Sequence, residues 1–161
     1  MALVCCFVLL PTIFGIIEVA YAFYAFNFVS SASREATRYA IVRGSTSCTI
    51  APSFPNCNLS PTSSGNPLQT YVTSLGYPGL NTNSMTVSAT WWSAHVTNPA
   101  GSFSTTDWDQ QCTTVDLNGY SCNLVRNAVQ VVVTYQFPLN IPFWKNVTIP
   151  ISSSAKMVIS E

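Results

Sequence analysis

Residues 2–29 are the most constraining segment of this sequence, because a run of that length contains only one charged side chain. About 20 apolar residues in a helix cross the roughly 30 Å of hydrocarbon in a bilayer, so the segment is long enough to span a membrane. Its one charged residue is Glu18, and a carboxylate there is costly unless it is paired or neutralised. Glu18 is therefore a candidate functional residue. Cys5 and Cys6 lie in the same segment, and we expect both to stay reduced.

The pattern after Pro11 predicts that the helix continues beyond the apolar segment and ends at Gly44. Pro11 itself predicts a kink, which membrane helices tolerate. A helix of about 40 residues is about 60 Å long, twice what a bilayer needs, so its outer half must project and pack on something. The predicted packing face consists of large and small apolar residues at helical spacing: Tyr21, Tyr24, Phe28, Ala32, Tyr39 and Val42.

The remainder of the chain reads as a small α+β domain. The stretch "NPLQTYVTSLGYPGL" predicts a short helix that begins at Pro67 and ends at Gly76. The stretch "SMTVSATWW" alternates apolar and hydroxyl side chains, as a half-buried strand does. Further strands are predicted in "NLVRNAVQVVVTYQF" and "VTIPISSSAKMVIS". The predicted fold is a long N-terminal hydrophobic helix, residues 1–44, packed on a small antiparallel sheet within a domain of residues 45–161.

Composition excludes several classes of function. Six basic and six acidic side chains cancel, and charged residues make up 7% of the chain, against about 25% in an average protein. The chain therefore has no excess of positive charge with which to bind nucleic acid. The only histidine, His95, has no nucleophile elbow to serve, so we predict neither catalysis nor a cofactor. Three loop carboxylates are weak calcium candidates, but they lack the glycine and glutamate of a calcium loop: Asp107, Asp109 and Asp116.

Four cysteines lie in polar, loop-like sequence and indicate disulfide bonds in an oxidising compartment. Zinc knuckles of the Cys-x-x-Cys type are absent. Four cysteines allow three connectivities, and short loops close at the lowest entropic cost. We therefore predict two local bonds, Cys48 with Cys57 and Cys112 with Cys122.

The charges that flank the apolar segment conflict with the disulfides. Arg34, Arg38 and Arg43 follow the segment, and the positive-inside rule would place them in the cytoplasm, whereas the disulfides require that side to be extracytoplasmic. The conflict disappears if a short basic leader once preceded Met1 and was removed. We therefore expect the sequence to represent a mature chain with a hydrophobic N-terminus.

The motifs "GIIE" at residues 15–18 and "SREATRYA" at residues 33–40 give this segment a close resemblance to the TadE-like pilin family of tight-adherence (Flp-type) pili, part of the type IV pilus superfamily. The closing stretches "VQVVVTYQFPLNIPFW" and "TIPISSSAKMVISE" also resemble that family's last strands. The resemblance implies a structural subunit anchored in the inner membrane, processed by a prepilin peptidase and handled by the pilus assembly machinery. It implies a homo-oligomeric, extracellular filament with the helices in its core, which supports adhesion.

The resemblance also implies roles for individual residues. In pilins an acidic helix residue pairs with a neighbour's N-terminal ammonium, here Glu18 with Met1. Glu18 is about 25 Å along the helix from Met1, so the partner must belong to another subunit. An arginine, or a hydroxyl such as Thr12, could also serve as the partner. Arg34, Glu35 and Arg38 form either a partner-binding patch or an ordinary solvated ladder.

Two other functions stay open at this point. The first is a monomeric, membrane-anchored binding module such as an adhesin, which would yield no fibres in material sheared from cells. The second, and weaker, is a periplasmic enzyme.

Overall fold

The computed structural model describes residues 2–45, 47–50, 58–61, 66–93, 108, 110–116, 119–139 and 147–160, with the backbone alone described for residues 2–7 and 50. Its helices are α1 (Ala2–Ile41), α2 (Ser47–Ile50) and α3 (Pro67–Ser74). Its strands are β1 (Met85–Ser93), β2 (Gln110–Cys112), β3 (Ala128–Leu139) and β4 (Val147–Val158). The predicted α+β arrangement of a long apolar helix on an antiparallel sheet is confirmed.

The four strands form one antiparallel sheet in the order β2-β1-β3-β4. The register aligns Val133 of β3 with Val87 of β1 and Ser153 of β4, so that their side chains share the face beneath α1. The alternation predicted for β1 is present, since Met85, Val87 and Trp91 are buried. Strand β2 was not predicted, because three residues are too short for a periodic pattern.

The outer half of α1 packs on β3 and β4 through small side chains. Ser33 Oγ lies 3.3 Å from Ser153 Oγ, and Thr37 Oγ1, which donates to the Ser33 carbonyl at 2.7 Å, lies 3.3 Å from the Ala155 carbonyl oxygen. The predicted packing face was partly wrong: Tyr24 and Val42 are 41% and 53% exposed. Pro11 lies inside α1, and the kink expected there stays a prediction. Small residues at spacings of three and four let the helix approach the sheet closely; the buried ones are Ala25, Val29, Ala32, Ser33, Ala36, Thr37 and Ala40.

Helix α3 closes the free edge of β1 with side-chain amides. Asn66 Nδ2 donates to the Val87 carbonyl at 2.8 Å, and Gln69 Nε2 donates to the Met85 carbonyl at 2.8 Å. Gln69 Oε1 accepts the Val87 N–H at 2.7 Å. An unpaired strand edge is a template for another strand, so these bonds disfavour association through β1.

Asn123 connects the exit of α1 to two other segments of the domain. Its side chain donates to the Leu59 carbonyl at 2.9 Å and also to Asn58, while its carbonyl accepts the Ser45 N–H at 3.1 Å. Ser121 donates to the Asn123 side-chain oxygen. Asn123 is 1% exposed and follows Cys122, whose disulfide with Cys112 fixes it to β2.

We expect Asn123→Ala to lower the free energy of unfolding by about 1–3 kcal/mol, because the buried Leu59 carbonyl loses a donor. Gln136→Ala is the matched control, since Gln136 is exposed on β3 and a surface amide is worth less than about 0.5 kcal/mol. Denaturant unfolding of the full chain in detergent, with disulfides intact, measures both. Equal stability of the two variants would contradict the role given to Asn123.

Candidate assembly site

The first half of α1 has no partner in the described structure. Residues 2–20, which we call the free segment, precede the packed part, and Ile16 within them is 70% exposed. Monomeric soluble proteins rarely expose an apolar patch of more than a few hundred Å² unless a partner or a membrane covers it. The large apolar side chains exposed on this segment surround the helix: Val8, Leu9, Leu10, Ile13, Phe14, Ile16, Ile17 and Val19.

A turn formed by residues 76–80, which we call the collar turn, marks where packing on α1 begins. The Tyr21 hydroxyl donates to the Gly79 carbonyl, and the Tyr24 hydroxyl donates to the Pro78 carbonyl at 3.2 Å. The Phe28 and Tyr77 rings lie with centroids 3.9 Å apart. Gly79 has φ +80°, a conformation that favours glycine, and it brings its carbonyl to Tyr21.

The collar turn limits how much of α1 can contact lipid. By length and composition, Val8–Ile41 includes a stretch that could cross a membrane. Residues 21–41, which we call the docked segment, are packed on the sheet, however, and irregular backbone such as the collar turn does not occur exposed in hydrocarbon. The free segment alone is about 28 Å long, close to the thickness of the hydrocarbon. If the helix spans a membrane, the boundary would therefore fall near Tyr21, one helical turn beyond Glu18.

Glu18 lies on the same face of α1 as the buried stripe, just before that stripe begins. It precedes Ala25 by two turns and Ala36 by five turns, so the three share one side of the helix at 3.6 residues per turn. Its side chain is half-buried, and it makes no ion pair within the described residues. The Thr12 hydroxyl donates to the Leu9 carbonyl at 2.8 Å, so its proton is already committed within its own helix.

Three charged side chains follow on the docked segment, and two of them pair with each other. Arg38 Nη1 lies 3.6 Å from Glu35 Oε1, and both side chains are largely exposed. Arg34 is exposed as well, and in the described part of the chain it has no ion-pair partner. A surface pair of this kind contributes about 0.3–0.5 kcal/mol to stability, so the Glu35–Arg38 pair has little structural weight.

Arg43 follows α1 and, unlike the two arginines of the helix, is buried within the folded domain. It is 7% exposed, its guanidinium carbon lies 3.4 Å from the Tyr39 ring centroid, and Nη1 donates to the Tyr39 carbonyl at 3.0 Å. The Tyr39 and Tyr71 rings stack with centroids 4.1 Å apart. Burial raises the pKa of the Tyr71 hydroxyl; the Glu35 carboxylate adds to the rise and Arg43 opposes it. This cluster packs around the C-terminal end of α1.

The structure contains the predicted disulfide between Cys112 and Cys122. Cys48 is also disulfide-bonded, but its predicted partner, Cys57, lies outside the described residues, so that pairing stays a prediction. The side chains of Cys5 and Cys6 lie outside them as well.

The remaining site predictions fall mostly outside the described part of the chain, namely Met1, His95, Asp107 and Asp109. Asp116 is described, and its carboxylate accepts the Tyr120 N–H at 2.9 Å within a tight turn. Within the described residues, no group of three or more candidate ligands could hold a metal ion. Because Asp107 and Asp109 lie outside those residues, the calcium site stays a prediction.

Comparison with known proteins bears on the first of the two segments that resemble the pilin family. The sequence model of the family described as TadE-like protein matches residues 1–38. Residues 1–38 are therefore similar to that family. Searches of curated proteins and of solved structures each returned no match to this chain.

The TadE-like match covers the free segment and most of the docked segment, and it includes Glu18, Arg34, Glu35 and Arg38. It ends within α1, so the resemblance seen in the closing strands stands on their sequence alone. The match confirms the TadE-like assignment of the helix. Together with the apolar free segment, it indicates membrane anchoring or association with a pilus.

Proposed function

We propose that this protein is a pilin subunit of a tight-adherence (Tad-like) pilus, held in the inner membrane by its free segment and then polymerised into an extracellular filament. The match of α1 to the TadE-like family supports association with such a pilus. In the filament, the helices bundle at the centre and the sheet domain faces outward. The pilus supports surface attachment, as the family resemblance implies.

The observation that carries this proposal is the abrupt division of one continuous helix into two environments. One face of the docked segment is buried from Ala25 onward, whereas Ile16 and the other large apolar side chains of the free segment are exposed. A helix that is apolar on every side is stable only when lipid or other helices surround it. Lipid satisfies this need in the precursor, and copies of the same segment satisfy it in the filament.

The opposite face of the sheet supports an outward position for the domain. Side chains that point away from α1 on β1, β3 and β4 are mostly hydroxyls and amides, and the register aligns them in rows across the strands. Such a surface is solvated mainly through neutral polar groups, as the composition indicated, and Lys156 adds a charge to it. The aligned residues include Thr86, Thr134 and Ser152 in one row, and Ser88 and Ser154 in the next.

Electron microscopy of sheared cell-surface material tests the proposal. Fibres are expected from cells that produce the chain and not from cells that lack it, with immunogold label for the sheet domain along the fibre. Label at the fibre ends alone would contradict the polymer and identify a minor pilin. Protein found only in the membrane fraction, with normal fibres in its absence, would instead identify an anchored binding module.

The membrane boundary at Tyr21 gives a separate prediction for the precursor. In cells without the assembly machinery, an Asn27→Cys chain should react with an impermeant maleimide added from outside, because Asn27 is exposed beyond the collar turn. An Ile16→Cys chain should stay unlabelled within the hydrocarbon, and the unsubstituted chain corrects for Cys5 and Cys6. Protection at position 27 would contradict this boundary and favour a span to residue 29.

A further inference from the structure

Two charged side chains of α1, one acidic and one basic, have no ion-pair partner among the described residues. The helix carries four charged residues in all, two of each sign. Glu35 and Arg38 pair with each other, which leaves Glu18 and Arg34. Neither of these has an ion-pair partner among the residues that the structure describes. Arg43, beyond the helix, is buried against Tyr39 and so is committed elsewhere.

Helix geometry prevents Glu18 and Arg34 from pairing within one chain. They are separated by 16 positions, which is about 24 Å along the axis and about 160° around it. Glu18 lies on the side of α1 that carries the sheet, below the collar turn. Arg34 lies on the opposite side, exposed and facing away from the sheet.

The same separation allows Glu18 and Arg34 to pair between two parallel copies of the helix. When one copy is displaced along the axis by about 24 Å, Arg34 of the lower copy reaches the level of Glu18 of the upper copy. The two side chains then face each other, because residues on opposite sides of identical parallel helices meet when the helices lie side by side. The lower copy's domain lies on the far side of its own helix, whereas the upper copy's collar turn lies on the contact side one turn above Glu18, so the two helices must splay apart beyond that level.

We infer that Glu18 of one subunit forms an ion pair with Arg34 of the neighbouring subunit, and that this pair sets the axial displacement between them at about 24 Å. The inference rests on the proposed function, since it requires filaments of this chain. A guanidinium suits the position because it binds a carboxylate through two parallel hydrogen bonds. The pair neutralises the one carboxylate of the free segment as that segment enters the core.

Charge exchange tests the inference through fibre yield in sheared material, normalised to the chain in the membrane fraction. Glu18→Arg alone and Arg34→Glu alone should each reduce fibres at least tenfold, and the chain with both changes should recover most of the yield. Glu18→Arg combined with Arg38→Glu is the matched control and should not recover. Normal yield from Arg34→Glu alone, or equal recovery in the control, would overturn the pair.

A second measurement avoids placing a new charge in the free segment. Fibres of an Arg34→Lys chain, treated with a carbodiimide, should contain an amide that joins Glu18 of one copy to the new amine at position 34 of another. Lys156, on the opposite face of the sheet, serves as the internal control and should not link to Glu18. Links from Glu18 to an N-terminal amine alone would overturn the inference and assign the partner to the chain terminus. If the unsubstituted chain gives no fibres at all, the proposed function fails before this test applies.

Discussion

Cells that produce a Glu18→Ala chain are expected to accumulate folded, membrane-inserted monomer and to yield at least about tenfold fewer surface fibres. Removal of one partner from a buried ion pair leaves the other charge uncompensated, at a cost of about 3–5 kcal/mol. A tenfold change in an equilibrium needs only about 1.4 kcal/mol. The sheet domain should be unaffected, because the contacts that the structure describes between α1 and the collar turn are made by Tyr21, Tyr24 and Phe28 of the docked segment. Fibre yield and the Cys112–Cys122 disulfide are measured on the same cells.

Glu35→Ala is the control for loss of a helix carboxylate. Glu35 is partly exposed, and among the described residues its ion pair is with Arg38 on its own helix, so its removal should change fibre yield little. Membrane levels of both variants must match that of the unsubstituted chain for the comparison to hold. Normal fibres from Glu18→Ala would show that the carboxylate is tolerated, and its assembly role would be withdrawn.

The second large effect is expected at Phe137, which holds the lower end of α1 on the sheet. Phe137 is 1% exposed, and its ring centroid lies 5.4 Å from that of Tyr21 and 6.5 Å from that of Tyr135. Phe137→Ala should lower the free energy of unfolding by about 3–5 kcal/mol, because a large cavity opens beneath the collar turn. Chemical unfolding of the full chain in detergent measures the loss.

Phe23→Ala also removes a phenyl ring, but one that is exposed to solvent instead of buried. Phe23 is 66% exposed on α1, so its loss should leave the unfolding midpoint unchanged and still reduce fibre yield, since a neighbouring helix would cover it in the proposed filament. The two phenylalanines therefore separate folding from assembly. A loss of stability from Phe23→Ala similar to that from Phe137→Ala would contradict the exposed position of Phe23 on the docked segment.

The sequence predicted the elements with strong periodicity or clear end signals. Helix α1, the start of α3 at Pro67 and the three long strands were anticipated because apolar spacing and turn residues mark them locally. Strand β2 was missed because its pairing with Trp91–Ser93 depends on tertiary contact and leaves no periodic trace in three residues.

The packed face of α1 was misjudged for a related reason. Large side chains such as Tyr24 and Val42 were expected to pack, but the sheet lies too close for them, and alanines occupy the contact. The collar turn was also missed, although "GYPGL" has the glycines and proline of a turn, because nothing in the sequence shows which helix it meets. Glu18 and Arg34 were both identified as candidates, whereas their complementary faces became apparent only from the side of α1 that the sheet covers.

Cryo-electron microscopy of the sheared fibres is the most direct test of the central claim that α1 drives polymerisation. We expect a helical array of this chain with the free segments in mutual contact along the axis, the hydroxyl rows of the sheet in solvent, and adjacent copies displaced along their helices by about 24 Å. Fibres built from another protein, or an array joined through the sheet edges with the free segments outside the core, would contradict it.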